Sequence, residues 1–445
     1  MRRNDPPPVR SPKGQALYAK ARALIPGGTQ LLSKRPEMFL PGGWPSYYTS
    51  AKGAEIVDLD GNTFVDMCIS GVGATVLGYA DADVDAAVKA AIDGGSMATL
   101  NAPEEVALAE ALIELHPWAD MTRFSRSGGE AMAIAVRIAR AATGRPLIAF
   151  CGYHGWHDWY LSANLADDGA LDGHLLRGLD PKGVPRGLKG LMLPFQYNDL
   201  DGLKQIVAEH GANLAAVVME PVRNPPAPGF LAGVREIASA AGAVLLFDEI
   251  TAGFRVNTGG IHLTLGIEPD MAVFAKALGN GYPISAIIGR ASVMAAAQDT
   301  FISSTAWTER IGPAAALATL AKHRAQDVPA HLVHIGERVM AGWTEAAQAA
   351  KLPVEVSGIP PLAHIAFKVP NAQAARTLYT QTLLDRGFLA SGAFYAMFAH
   401  TDTQVDRFIA ACGEAFEIVA AALRDDTLTA QLRGPVAHAG FQRLT

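Results

Sequence analysis

The 445-residue chain is half hydrophobic and 18% charged, an ordinary globular composition that excludes a fibrous or wholly disordered protein. Its 37 basic and 43 acidic residues leave a net charge of −6, and no long run of Lys or Arg could track a phosphate backbone, so nucleic acid is not an expected partner. The opening MRRNDPPPVRSPKG has no apolar stretch and no later segment is long and apolar enough for a bilayer, so a cytoplasmic chain is expected, with no membrane partner. Cys68, Cys151 and Cys412 lie far apart without paired spacing, which argues against a disulfide framework or a Cys-built zinc site and agrees with a reducing compartment.

In chain order, residues 1–14 read as a loose, proline-rich lead-in, and LIPGGTQLLSKRPEMFLPGGWP (24–45) is too rich in Gly and Pro for regular structure. AEIVDLDGNTFVDM (54–67) alternates around a DGN turn, which predicts a hairpin. RSGGEAMAIAVRIARAATGRP (126–146) sets Ala131, Ile134, Ala135 and Ile138 on one helix face, with Ser127 and Glu130 at capping-box spacing and Gly144 and Pro146 as stops. Four continuous apolar runs follow: PLIAF (146–150), LAAVVM (214–219), AVLLF (243–247) and MAVF (271–274). Runs without alternation are strands covered on both faces, so the expected architecture is α/β with a mostly parallel sheet. Towards the C-terminus, Val405, Phe408, Ile409, Cys412, Phe416 and Val419 fall at helical spacing behind a threonine cap. The expected organisation is a large domain at 81–330 and a smaller α+β domain from 331–445, to which the segment 1–80 contributes along with active-site loops.

Ligands of open α/β sheets bind beyond the carboxyl ends of the strands, so the residues just past each run are informative: Tyr153, Glu220, Asp248 and Lys276. Ser127, Gly128 and Gly129 begin a helix, where free N–H groups and the helix dipole favour a phosphate. An amine, a carboxylate, an aromatic plate and a phosphate site are together what pyridoxal phosphate requires. Taken singly, each has a plainer reading: Asp248 as a helix cap, Ser127-Gly128-Gly129-Glu130 as a good helix start. The histidines of HGWHD (154–158) are a candidate metal set, but no further His or Cys cluster closes a coordination shell, so no metal is expected. HLVH (331–334) reads as an ordinary polar helix face, and GVGATVLG from Gly71 lacks dinucleotide-binding spacing.

The ordered motifs IPGG (25–28), AKGAEIVDLDGN (51–62), SGGEA (127–131), GYHGWHD (152–158), MEPV (219–222), FDEITAGFR (247–255), FAKALGNGYP (274–283) and AHTD (399–402) resemble the class III pyridoxal-phosphate aminotransferases, within them the glutamate-1-semialdehyde aminomutase-like branch. The resemblance implies the aspartate aminotransferase-like fold type I. It implies Lys276 as the cofactor-binding lysine, Asp248 on the pyridine nitrogen, and Ile250 and Tyr153 on the two ring faces. Ser127, Gly128 and Gly129 would hold the phosphate and Glu220 would support the site. It also implies a homodimer with shared sites, in which the partner supplies a threonine to the phosphate: Thr308 in TERIGP, with Thr305 in reserve. Lys34, Arg35 and Arg223 are candidate cations for a substrate carboxylate, and Trp156 and Trp307 candidate pocket or interface aromatics. The chain departs from the aminomutase pattern at Val72, where the mutase has Trp, in LASGAFYAMFAHT (389–401), which lacks its carboxylate, and in SSTAWTERIGP (303–313), which replaces its Gly-rich gate. The expected activity is transfer of an amino group between an amino donor and an aldehyde or ketone. The alternatives are a glutamate-1-semialdehyde 2,1-aminomutase, a binding protein that has lost turnover, and a metal-dependent hydrolase.

Overall fold

The computed structural model describes residues 10–167, 169–171, 174 and 178–440. The chain forms two compact units, one from Met1–Asp81 with Ala330–Thr445 and the other from Ala82–Pro329. The strands in chain order are β1 (Tyr48–Lys52), β2 (Glu55–Asp58), β3 (Thr63–Asp66), β4 (Met121–Ser125), β5 (Leu147–Cys151), β6 (Met192–Pro194), β7 (Leu214–Met219), β8 (Val244–Asp248), β9 (Met271–Phe274), β10 (Ser285–Gly289), β11 (Val354–Ile359), β12 (Leu362–Phe367), β13 (Phe388–Leu389) and β14 (Ala393–Tyr395).

The unit Ala82–Pro329 is built on a seven-stranded sheet of order β4-β10-β9-β8-β7-β5-β6. Only β10 runs against its neighbours; the pairs from β9 to β6 are parallel. Every residue of β7, β8 and β9 is buried, as their unbroken apolar composition requires for strands covered on both faces. The helix Gly128–Thr143 buries Ala131, Ile134, Ala135 and Ile138 in a core shared with Ile148, Val218, Leu246 and Val273. Each of the Ile, Val and Leu side chains taken from water contributes about 1.5–3 kcal/mol, and each Ala methyl less. Gly144, at φ 67, ends this helix in the left-handed conformation open to glycine. Because β5, β7, β8 and β9 are successive parallel neighbours, their carboxyl ends form one edge, and the register pairs Cys151 with Met219, Met219 with Phe247, and Asp248 with Val273.

The other unit carries a sheet of order β1-β2-β3-β13 and a second of order β11-β12-β14. The expected hairpin is β2–β3, with Asp58 accepting the Asn62 main-chain N–H at 2.8 Å across the turn. The helix Asp402–Arg424 is capped by Thr401, whose hydroxyl and the Gln404 side chain form a reciprocal capping box, and it buries Val405, Phe408, Cys412, Phe416 and Val419. Ile409 is only half-buried. Two expectations need correction. A helix, Pro12–Leu24, begins inside the supposed lead-in, because Pro12 is a favourable first helical residue; residues 1–9 lie outside the described part. The 24–45 segment contains the short turns Leu32–Lys34 and Pro36–Met38, and Phe39 stacks on Trp44 at 4.5 Å.

Candidate active site

Four strand ends carry the candidate residues. Asp248 is the last residue of β8, Glu220 follows β7 directly, and Lys276 and Tyr153 lie two residues past β9 and β5. Lys276 is half-buried at φ 46, an unusual conformation for a side-chain-bearing residue, and opens the tight turn Lys276–Gly279. Its Nζ donates to Thr251 Oγ1 at 2.8 Å. Burial, and then the positive charge of Arg255, pull the amine down to about 8.

Asp248 Oδ1 accepts the Ile250 N–H at 3.1 Å, and Oδ2 lies 2.8 Å from His154 Nδ1. His154 Nε2 faces the Cys151 carbonyl at 3.1 Å, so it must carry a hydrogen, and a further proton lies between Nδ1 and Oδ2. The His154–Asp248 pair is therefore neutral as a unit. Burial pushes the Asp248 carboxyl above its ordinary range, and the His154 bond draws it back. Glu220 fills the space a Cβ on Gly152 would need, and accepts the Tyr153 N–H at 3.2 Å. Burial works against the Glu220 charge, but Arg223, bonded at 2.6 and 2.8 Å, holds the carboxyl below its usual range with help from His154. Arg223, a candidate substrate cation, is thus engaged by Glu220.

The helix Gly128–Thr143 starts at the extended Ser127, but the capping box is not formed: Ser127 makes no cap bond, and Glu130 accepts the Arg126 N–H at 2.9 Å, one residue further back. The helix start is left without a side-chain cap, which suits an anion. Its two glycines make room for protein as well. A Cβ at Gly128 would lie 2.8 Å from Ile250 Cδ1, and one at Gly129 would lie 3.1 Å from His157 Nδ1. Ile250 is thereby held against the helix start, and Tyr153 packs edge-on to Tyr160 at 5.8 Å.

The other candidates sit differently. Thr308 is exposed and its hydroxyl donates to the Thr305 carbonyl at 3.0 Å. Arg126 ties this turn to the glycine helix through the carbonyls of Trp307 and Glu309, at 2.9 and 2.8 Å, and an ion pair with Glu309 at 2.9 Å. Trp307 and Thr308 line a cavity of about 400 Å³ with Val106, Phe124 and Ser304. Trp156 is 69% exposed and stacks on His157 at 4.3 Å. In the other unit Lys34 is exposed, and Arg35 lies against Gly27, whose absent Cβ leaves room for the guanidinium. His334 pairs with Asp402, and His331 donates to the His400 carbonyl.

His154 reads from the sequence only as a metal ligand, and Thr251, Arg255 and the neighbouring carboxylate Glu249 have no role there that the sequence alone assigns. Glu249 Oε1 accepts the His262 main-chain N–H and Nδ1–H at 3.0 and 2.7 Å, and Oε2 accepts the Ile261 N–H at 3.1 Å. Trp118 donates to His262 Nε2 at 2.9 Å, so His262 carries its hydrogen on Nδ1. His116 accepts the Gly260 N–H at 2.9 Å beside them. The available signals were the second carboxylate of FDE and an Arg closing an otherwise small and apolar stretch. No group of three or more His, Cys, Asp or Glu side chains among the described residues is arranged to hold a metal, and none of the described helices is long and apolar enough to cross a membrane.

A half-buried amine, a carboxylate sharing a proton with histidine and an uncapped glycine helix start fit a cofactor that carries an aldehyde, a basic ring nitrogen and a phosphate. The parallel sheet with these groups along one edge is that of the fold-type-I pyridoxal-phosphate enzymes. The chain belongs to the class-III aminotransferase family: the model described as Aminotransferase class-III matches residues 42–412. It is a transaminase that uses pyridoxal 5′-phosphate. It is 33% identical to the 3-aminobutyryl-CoA aminotransferase of Cloacimonas acidaminovorans (strain Evry), over 88% of this chain and 93% of that one. It is 35% identical to a glutamate-1-semialdehyde 2,1-aminomutase of Heliobacterium modesticaldum, over 92% and 98%. Among solved structures it resembles the FumI protein of Sphingopyxis sp. MTA144 in a PLP form, with a TM-score of 0.84 and 28% identity over 95% of this chain and 99% of that one.

Proposed function

We propose that amino-group transfer between an amino donor and an aldehyde or ketone acceptor takes place at the joined ends of β5, β7, β8 and β9, with Lys276 as the cofactor-binding and proton-moving group. The observation that carries this reading is the Lys276 amine, drawn down to about 8 and set one strand from the Asp248–His154 pair. When bound, pyridoxal phosphate supplies an aldehyde for the amine and a ring that takes up the electron pair left when a substrate C–H bond breaks. Asp248 would hold a proton at the ring nitrogen, and His154 would steady the charge of that carboxylate. Tyr153 and Ile250 would flank the ring. Ser127, Gly128 and Gly129 would receive the phosphate on the helix start. Glu220, neutralised by Arg223, keeps the Tyr153 main chain in place. An amine value near 8 leaves a useful fraction of Lys276 uncharged at neutral pH, so Nζ can take a proton from one carbon and return it to another.

The protein works as a homodimer in this reading, with Thr308 of each subunit serving the partner's phosphate. Its exposure supports this, as does the strongly exposed Phe301 on the same segment. The widely spaced cysteines, all unpaired and buried, suit a cytoplasmic setting. Lys34, Arg35 and Trp156 remain the groups proposed to meet substrate, with Arg223 acting through Glu220. The aminomutase is the second reading, favoured by the 35% identity to such an enzyme. Nitrogen-15 tracing separates the two. The parent protein and Lys276→Ala are given labelled β-amino acid thioesters or glutamate 1-semialdehyde, with and without a carbonyl acceptor. Label in the acceptor, absent with Lys276→Ala, is expected. Label that only changes carbon within one molecule would establish the mutase.

A further inference from the structure

The loop after β8 presents two groups that the chemistry above leaves unused. Thr251 accepts a hydrogen from Lys276 Nζ at 2.8 Å through its hydroxyl, while its main-chain carbonyl accepts from Arg255 Nε at 3.2 Å. Arg255 is only 1% exposed, among the largest fully buried side chains of the protein. The backbone between them has little freedom. A Cβ at Gly253 would come within 2.8 Å of the Glu249 carbonyl and 2.9 Å of Phe274, and Phe254 turns the chain at φ 59. Residue 251 is thus held by its carbonyl on one side while its hydroxyl meets the reactive amine on the other.

We propose that Thr251 is a positioning residue for Lys276, its hydroxyl receiving the amine whenever the amine is not bound to cofactor, and that the buried Arg255 guanidinium fixes the main chain from which that hydroxyl is presented. The inference rests on the reading of Lys276 as the reactive amine. Such an acceptor keeps a flexible four-carbon side chain in one place between the step that frees it and the step that needs it, which spares the entropy of a search.

The two residues act on the amine with opposite signs. A hydroxyl that accepts from Nζ favours the ammonium over the neutral amine, whereas a nearby guanidinium disfavours it. The charged groups that face Lys276 are Arg255 and Arg223, which lower its proton affinity, and Asp248 and Glu220, which raise it; burial outweighs each. Removing the Thr251 hydroxyl should therefore lower the amine's titration midpoint, and removing the Arg255 charge should raise it.

The test is acetylation of Lys276 by acetic anhydride in the cofactor-free protein, followed across pH by peptide mass spectrometry. The parent should show a midpoint near 8. Thr251→Val should move the midpoint down and Thr251→Ser restore it. Arg255→Gln should move it up by about one pH unit, which slows labelling at pH 7 roughly tenfold. Arg255→Lys, which keeps a positive charge, should stay near the parent. A parent-like profile for Thr251→Val would overturn the proposal. Should Arg255→Gln not fold, the contrast of Thr251→Val with Thr251→Ser decides. A parent in which borohydride fixes pyridoxal phosphate elsewhere than Lys276 would defeat the reading beneath, and the labelling would still report on Thr251.

Discussion

Asp248 and Glu249 are sequence neighbours, and each pairs with a buried histidine, at 2.8 and 2.7 Å, yet the two sides of this strand end are built for different purposes. On the Glu249 side every polar atom is answered. Two main-chain N–H groups and His262 donate to the carboxylate, and Trp118 donates to the far nitrogen of His262. That makes His262 a neutral ring and Glu249 a lone anion saturated with donors, a clamp on the 249–262 loop. On the Asp248 side both nitrogens of His154 face acceptors, so the pair holds one proton more and is neutral, one strand away from an amine. Burial of a carboxylate–histidine pair therefore does not by itself mark a catalytic group; the role proposed for Asp248 rests on its neutral pair and its place one strand from the Lys276 amine.

Substitution should separate the two sides. Asp248→Asn is expected to reduce turnover by at least about 10³-fold, roughly 4 kcal/mol of barrier, with a thermal midpoint close to the parent's. Steady-state rates alongside a melting curve check both halves, and an active variant would dissolve the distinction. Glu249→Ala should do the reverse. It strands three donors in the interior and is expected to remove about 3–5 kcal/mol of stability, read in denaturant titration, while molecules that still fold turn over substrate.

Acid should weaken the clamp together with the surroundings of three other histidines, His174, His323 and His400, which burial likewise draws down to about 4. Burial draws His116, which holds Gly260, down from 6.5 to about 4. The unfolded chain takes up a proton as pH falls below about 6.5 while the folded chain does not, so stability is full above that range and declines towards pH 4. The slope from this residue is at most about 1.4 kcal/mol per pH unit. Melting curves across that window should show a shallower fall in His116→Gln than in the parent, with His174, His323 and His400 supplying the rest of the slope. The smallest effect is expected away from both carboxylates: Thr401→Ala breaks the capping box on the helix Asp402–Arg424 and should cost about 1 kcal/mol, leaving turnover unchanged.

The comparison also shows what the sequence could convey. The runs that became β7, β8 and β9 are continuous and fully buried, so the strands and the residues that end them were legible from hydrophobic pattern alone. β4, TRF within a partly exposed strand, gave no such signal, and its place at the sheet edge is decided by β10, a partner about 160 residues away in sequence, as in Ser285 with Ser125. Lys276 and Asp248 could be read as chemistry because each follows an apolar run. Their partners could not. Thr251 is an ordinary loop residue until Lys276 is seen to donate to it, and His154 looks like a metal ligand until Asp248 is seen to meet it. Ser127 and Glu130 have capping-box spacing, yet Arg126 takes the carboxylate, a competition between neighbouring N–H groups that spacing does not resolve. The glycines at 128 and 129 suit a phosphate's close approach by their size alone, whereas only the fold shows that Ile250 and His157 occupy the space side chains there would need.

The most direct measurement is to load the protein with pyridoxal phosphate, reduce with borohydride and map the modified peptide by mass spectrometry. The account predicts a single phosphopyridoxyl group on Lys276 in the parent and none in Lys276→Ala. A modification on another lysine, or no modification with the protein folded, would contradict the assignment of this strand-end amine as the centre of the chemistry.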